Sequence, residues 1–167
     1  EYGAKVVAMS DSNGVIYDES GIKLDTIKKL KEVERKRIKE YMNEHPQAKY
    51  IETTNKEESP IYDIKADIVL PCATQNEINL NSAKKLVANG VEAVGEGANM
   101  PSTKEAVEYF LEKGVLFAPA KAANAGGVAT SALEMSQNSM RYFWTFDEVN
   151  EKLDNIMTNI FKALSLI

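Results

Sequence analysis

Three short apolar runs in this chain end in segments rich in small residues and amides. IVL is followed by PCATQNE, AVG by EGANMPST, and VLF by APAKAANAGG. An asparagine side chain carries both a donor and an acceptor, the pair that a carboxamide or a ribose hydroxyl requires. Alanine and glycine let a flat ligand come close to the backbone. Taken singly, each segment is equally well an ordinary turn with Asn and Gly as turn formers. Three of them at one edge of one sheet weigh toward a ligand site, because open α/β sheets bind ligands beyond the carboxyl ends of their strands.

The last of these segments opens a longer stretch, PAKAANAGGVATSALEMSQN, at residues 119–138. A helix is expected to start near Asn124, yet Gly126 and Gly127 fall in its first turn, where each costs about 1 kcal/mol relative to alanine. Close approach of a ligand to the helix backbone accounts for the pair. On such a helix Val128 lies ~40° around from Asn124 and Ser131 ~20° to the other side. Asn124, Val128 and Ser131 therefore share a face that offers an amide, a small apolar wall and a hydroxyl. The alternative is a core helix packed tightly on a sheet, where Gly and Ala permit close contact.

A further group lies near the start. SDSNG follows the first apolar run, and in a dinucleotide fold an acid in that place accepts from the adenosine ribose. Asp11 fits it, and Ser12 and Asn13 can donate to a 2′-phosphate. Lys28, Lys29, Arg35, Lys36 and Arg37 follow as countercharges or, for most of them, as a solvated helix face. The glycine fingerprint that normally precedes the acid by about 20 residues is not in the sequence. Only ten residues stand before Asp11. The first strand, the glycine phosphate loop and the first helix of the fold are thus expected to lie outside this chain.

Bulk properties narrow the function classes. The chain has 167 residues, is 44% hydrophobic and carries a net charge of −5. That balance argues against nucleic acid as a partner, which calls for a basic surface. No apolar run reaches the ~18 residues of a membrane span, and EYGAKVVAMS does not have a signal-peptide pattern. A single cysteine, Cys72, excludes an internal disulfide and fits the cytoplasm. With one histidine besides, His45, neither a metal site nor a Cys/His pair is expected.

The elements that would position these groups alternate. AKVVAM reads as a buried strand and SDSNG as a turn. A helix is expected over residues 24–43, capped by Asp25 and stopped at His45 and Pro46. ADIVLP, VEAVG and VLFAP read as strands. NSAKKLVANG reads as a helix closed by Gly90. Ser102 and Glu105 form an expected capping box for a helix ending at Gly114, and Thr145 and Glu148 a second for the last helix. TTNKEESP is the most loop-like stretch. The pattern predicts an α/β fold with a doubly wound, Rossmann-like parallel sheet.

PCATQNE, EGANMPST and PAKAANAGGVATSALEMSQN resemble segments of glutamate dehydrogenases of the small hexameric type, and SDSNGVIYDESG is similar to the NADP-linked members. The resemblance runs over residues 4–160. It implies reversible NADP-dependent (or NAD-dependent) oxidative deamination of L-glutamate to 2-oxoglutarate and ammonia by a homo-hexamer. It also implies roles. Ser131 binds the substrate side-chain carboxylate and Val128 lines that pocket. Asn99 and Asn124 lie near the nicotinamide. Ala73 and Thr74 line the cofactor groove, with Asp11 and Ser12 at the adenosine end. Residues 1–167 then form a partial dinucleotide-binding domain, whose last helix, about 147–167, begins a return toward a substrate domain. The family's catalytic lysine and aspartate belong to that other domain, so no catalytic residue is expected here and the piece alone is expected to be inactive. Two rivals stand beside this reading. One is a dehydrogenase of leucine, valine or phenylalanine, which would leave the Ser131 hydroxyl unpaired. The other is a non-catalytic nucleotide-binding or oligomer-interface module.

Overall fold

The run AKVVAM contributes only its end to a strand, and that strand turns back on itself. In a computed structural model, which describes residues 3–55 and 59–164, β1 is Ala8–Ser10. The Asp11 N–H donates to the Gly14 carbonyl at 2.9 Å, and the Asp11 carboxylate takes the Asn13 N–H at 2.8 Å. This closes a tight turn of the kind that Asp and Asn favour. β2, Gly14–Tyr17, therefore runs antiparallel to β1, with Met9 opposite Ile16. β3, Lys49–Glu52, pairs antiparallel on the far side of β2. The expectation of parallel strands throughout is thus corrected for this half. The expected burial of the first run is corrected too, since Val6 is half exposed.

The helix expected over residues 24–43 is broken. α1 covers Leu24–Lys28 and passes into a wider turn over Lys29–Val33. Arg35 is left-handed (φ 51°), Arg37 is extended, and a short 3₁₀ segment, Ile38–Asn43, follows. The reason is size. Twenty helical residues would span ~30 Å, whereas strands of three or four residues span ~10–13 Å. Folding back lets Ile27, Leu30, Ile38 and Tyr41 all bury against Ile16. Asp25 is not the cap: the N-cap is Lys23, without a side-chain bond, and Asp25 lies in the first turn.

The second half follows the expected alternation. β4 (Ile68–Val69), β5 (Ala93–Gly95) and β6 (Leu116–Ala118) form a parallel sheet in that order. α2 (Leu80–Ala88) and α3 (Lys104–Glu112) make the crossovers. Gly90 (φ 86°) and Gly114 (φ 72°) follow the two helices in the left-handed conformation that glycine admits freely. Asn79 caps α2 by accepting from the Ser82 N–H. α3 is capped by Thr103, which takes the Ala106 N–H at 3.3 Å, and not by Ser102. Ile78, Ala83, Leu86, Val94, Ala106 and Phe110 fill the core of this half, a cluster separate from the one around Ile16.

A short helix α4 (Ala120–Ala123) leads into α5 (Ala125–Met140), and α6 spans Phe146–Leu164. The Thr145–Glu148 box is present: each backbone N–H donates to the other's side chain, at 2.7 and 3.3 Å. Part of the loop expected at TTNKEESP, and residues 165–167 of the expected last helix, lie outside the described residues.

Candidate functional site

The three amide-bearing segments all leave the carboxyl ends of β4, β5 and β6, and they are tied to one another. Pro71, at the end of β4, accepts from the backbone N–H groups of Gly97 and Ala98, both at 3.0 Å. The Asn76 N–H donates to the Met100 carbonyl at 2.9 Å. Both of these residues are left-handed, at φ 58° and 49°. Asparagine tolerates that conformation; for methionine it costs about 1–2 kcal/mol. A Cβ on Gly97 would stand 2.5 Å from the Cys72 sulfur, so glycine there keeps the first two loops together.

The amides meet between the second and third loops. Asn124 sits at the junction of α4 and α5, and its Nδ2 donates to Oδ1 of Asn99 at 2.7 Å. Asn99 is exposed and Asn124 half-buried. Below them lies Glu96, 5% exposed, at the end of β5. Its two carboxylate oxygens accept from the Ser102 N–H at 3.2 Å and the Ala120 N–H at 2.9 Å. Glu96 was not among the expected site residues. Its only sequence signal is a carboxylate directly after an apolar strand.

Ala73 and Thr74 are exposed in the first loop. The Glu77 carboxylate accepts from the Thr74 N–H at 3.4 Å. Burial holds the Glu77 carboxyl above the usual carboxylate range and pushes the nearby Cys72 thiol up as well.

Val128 and Ser131 lie on α5, both exposed. No residue of α5 is buried within this chain. A Cβ on Gly127 would meet nothing within 4 Å, and one on Gly126 only Leu153 and Met157 at 3.8 Å. The backbone of the first turn is open on that side.

At the β1–β2 turn, both Asp11 oxygens are engaged. Oδ1 takes the Asn13 N–H, and Oδ2 takes the Ile38 N–H at 3.3 Å. Arg37 reaches the same turn. Its Nη1 donates to the Ser12 hydroxyl at 2.9 Å and stands 3.9 Å from Asp11 Oδ2. Of the five cations weighed from the sequence, Arg37 is the one brought onto Ser12, through the break that separates it from α1. Lys29 and Lys36 are instead paired with Glu34.

Among the described residues, no cluster of His, Cys, Asp and Glu could hold a metal ion, and no helix is long and apolar enough to cross a membrane. The family model of glutamate/leucine/phenylalanine/valine dehydrogenases matches residues 1–166. A glutamate dehydrogenase of Bacteroides thetaiotaomicron is 53% identical over 98% of this chain and 36% of its own length. An NADP-specific glutamate dehydrogenase of Salmonella typhimurium is 48% identical over 97% of this chain and 36% of its own. The crystal structure of Plasmodium falciparum glutamate dehydrogenase superposes with a TM-score of 0.86 at 47% identity, covering 95% of this chain and 34% of that one. The chain spans about a third of the length of the relatives it matches.

Proposed function

Because the chain belongs to the glutamate/leucine/phenylalanine/valine dehydrogenase family, we propose that it is the coenzyme-binding part of an NADP-dependent glutamate dehydrogenase. The whole protein would convert L-glutamate reversibly to 2-oxoglutarate and ammonia. The observation that carries this reading is the Asn99–Asn124 pair at the carboxyl edge of a parallel sheet. Relatives named as NADP-specific glutamate dehydrogenases support the choice of substrate and coenzyme.

The residues present fit a nicotinamide dinucleotide. The amide pair offers the carboxamide a donor and an acceptor, and the open backbone at Gly127 leaves room beside it. Ala73 and Thr74 line the groove from the first loop. The bound coenzyme supplies a hydride acceptor for the amine-bearing carbon. Arg37 and Ser12 present a cation and a hydroxyl to a 2′-phosphate, with Asp11 holding their turn; a guanidinium suits phosphate oxygens geometrically. Ser131 donates to the substrate side-chain carboxylate, and Val128 forms the wall next to it. The proton-transferring groups come from the remainder of the whole protein.

The reading extends to a cytoplasmic homo-hexamer. Phe143 and Phe146, 80% and 82% exposed in this chain, support burial against further protein. The substrate is tested with Ser131→Val in the whole protein. Loss of a charge-assisted hydrogen bond lowers kcat/KM for glutamate by roughly 10- to 150-fold. The norvaline-to-glutamate activity ratio rises, because an apolar side chain needs no donor. An unchanged ratio with a lower melting temperature removes Ser131 from the pocket and reopens the choice among amino-acid dehydrogenases.

A further inference from the structure

We propose that Glu96 is a positioning residue for the coenzyme: its buried carboxylate bridges the second and third loops and so sets the spacing of the Asn99 and Asn124 amides. The proposal rests on the reading of these amides as coenzyme ligands. Glu96 closes β5, where its backbone N–H donates to the Ala118 carbonyl of β6 at 3.0 Å. Its side chain then reaches in two directions. Oε1 takes the N–H of Ser102, three residues beyond Asn99, and Oε2 takes that of Ala120, the first residue of α4. From Ala120 a single helical turn leads to Asn124, whose N–H donates to the Ala120 carbonyl at 3.0 Å. Glu96 is thus joined to the residues that flank both amides.

A carboxylate is suited to this place for a definite reason. The two groups it must satisfy are both N–H donors, and a carboxylate is acceptor at both oxygens. Glutamine has the same shape but only one acceptor, so its NH₂ would face one of the two N–H groups. Aspartate keeps both acceptors but is one methylene shorter. The Ser102 hydroxyl is buried without a partner among the described residues, so on that side the tie to Glu96 runs through the backbone.

The test is a fluorescence titration of the whole protein with NADPH. Glu96→Gln is expected to weaken NADPH binding roughly 10- to 150-fold, the range for a lost hydrogen bond to a charged group. In an Asn124→Ala background the same substitution is expected to matter by less than about 3-fold, because its effect runs through that amide. An equal factor in both backgrounds marks Glu96 as merely structural and overturns the proposal. Ala120→Pro gives a second route if Glu96→Gln does not fold. It deletes one donated N–H at the first position of a helix, where proline is tolerated. It is expected to weaken NADPH binding as well, and wild-type affinity in that variant overturns the proposal. Failure of the underlying reading shows earlier and separately, as wild-type protein that does not bind NADPH.

Discussion

The two halves of the molecule build sheets by opposite means. In residues 8–52 a tight Asp-Ser-Asn-Gly turn forces antiparallel pairing, and a broken helix folds back over three short strands. In residues 68–118 two regular helices carry the chain across between parallel strands. The first half closes the turn that carries Ser12 with local hydrogen bonds and brings Arg37 and Ile38 to it from 25 and 27 residues along the chain. The second joins Asn99, in a loop, to Asn124, at a helix junction, by a side-chain bond that spans 25 residues, with the Glu96–Ala120 bond, spanning 24, beside it. The difference lies in the local part: Ser12 sits in a turn that its own backbone bonds close, whereas the amide pair is made from two segments that Glu96 bridges.

Core truncation gives the largest expected effect. Phe110 and Ile16 are both wholly buried, in separate clusters. Phe110→Ala is expected to cost about 3–5 kcal/mol and Ile16→Ala about 2–5 kcal/mol. If the halves are independent, the double variant loses the sum within ~0.5 kcal/mol in a urea titration. A strongly non-additive result would join the halves into one cooperative core.

Glycine substitution comes next. A Cβ on Gly14 would lie 2.5 Å from the Tyr50 ring and 2.6 Å from the Ile51 carbonyl. Backbone cannot step aside, so Gly14→Ala is expected to lower stability by about 1–3 kcal/mol. On Gly97 the obstacle is the end of the Cys72 side chain, which can rotate, so Gly97→Ala is expected to cost less. The reverse order in thermal unfolding would contradict the hairpin geometry.

Acid divides the halves in a further way. Asp18, buried in the first half, is held below the usual carboxylate range chiefly by the Ser20 hydroxyl, with Gln47 and Tyr41 adding. Its folded value lies below its unfolded one, so its stabilisation is present above about pH 4 and is lost as pH falls through the folded value. Glu77 in the second half is raised by burial. Its cost is present above its folded value and disappears as pH falls below the unfolded one. Protection factors from hydrogen exchange, compared between pH 7 and a pH below about 3, are expected to fall around Asp18 and to hold or rise around Glu77. Asp18→Asn is expected to flatten the first trend.

The smallest contrast separates neighbours. Thr103→Ala removes the cap of α3 and is expected to cost about 1 kcal/mol. Ser102→Ala removes a buried hydroxyl that has no partner among the described residues and is expected to be neutral or stabilising. Equal losses in chemical denaturation would restore Ser102 as the cap.

Legibility in the sequence follows the same division. The second half was readable because helices with a 3.6-residue period and glycine stops separate its strands. The amides at its edge were readable as a group, but their contact was not, since it depends on how far apart two loops emerge. Glu96 was missed because a single carboxylate after a strand looks like any solvated acid until its burial is known. In the first half, GVIY and KYIE went unassigned because no regular helix with a glycine stop sets them apart from their neighbours. The break at residues 34–37 has no breaker residue: ERKR contains neither glycine nor proline. Only the size of the small sheet requires it, and Arg37 reaches Ser12 because of it.

The proposed division of labour is that the first half reads the ribose phosphate and the second holds the nicotinamide. It is tested most directly by kcat/KM for NADP+ and NAD+ in the whole protein, comparing Ser12→Glu with Asn124→Ala. A new carboxylate beside Arg37 repels a 2′-phosphate and leaves NAD+ without that penalty. Ser12→Glu is therefore expected to lower NADP+ use far more than NAD+ use, and Asn124→Ala to lower both by a similar factor. Equal losses for the two coenzymes in Ser12→Glu would contradict the account and put the β1–β2 turn away from the ribose.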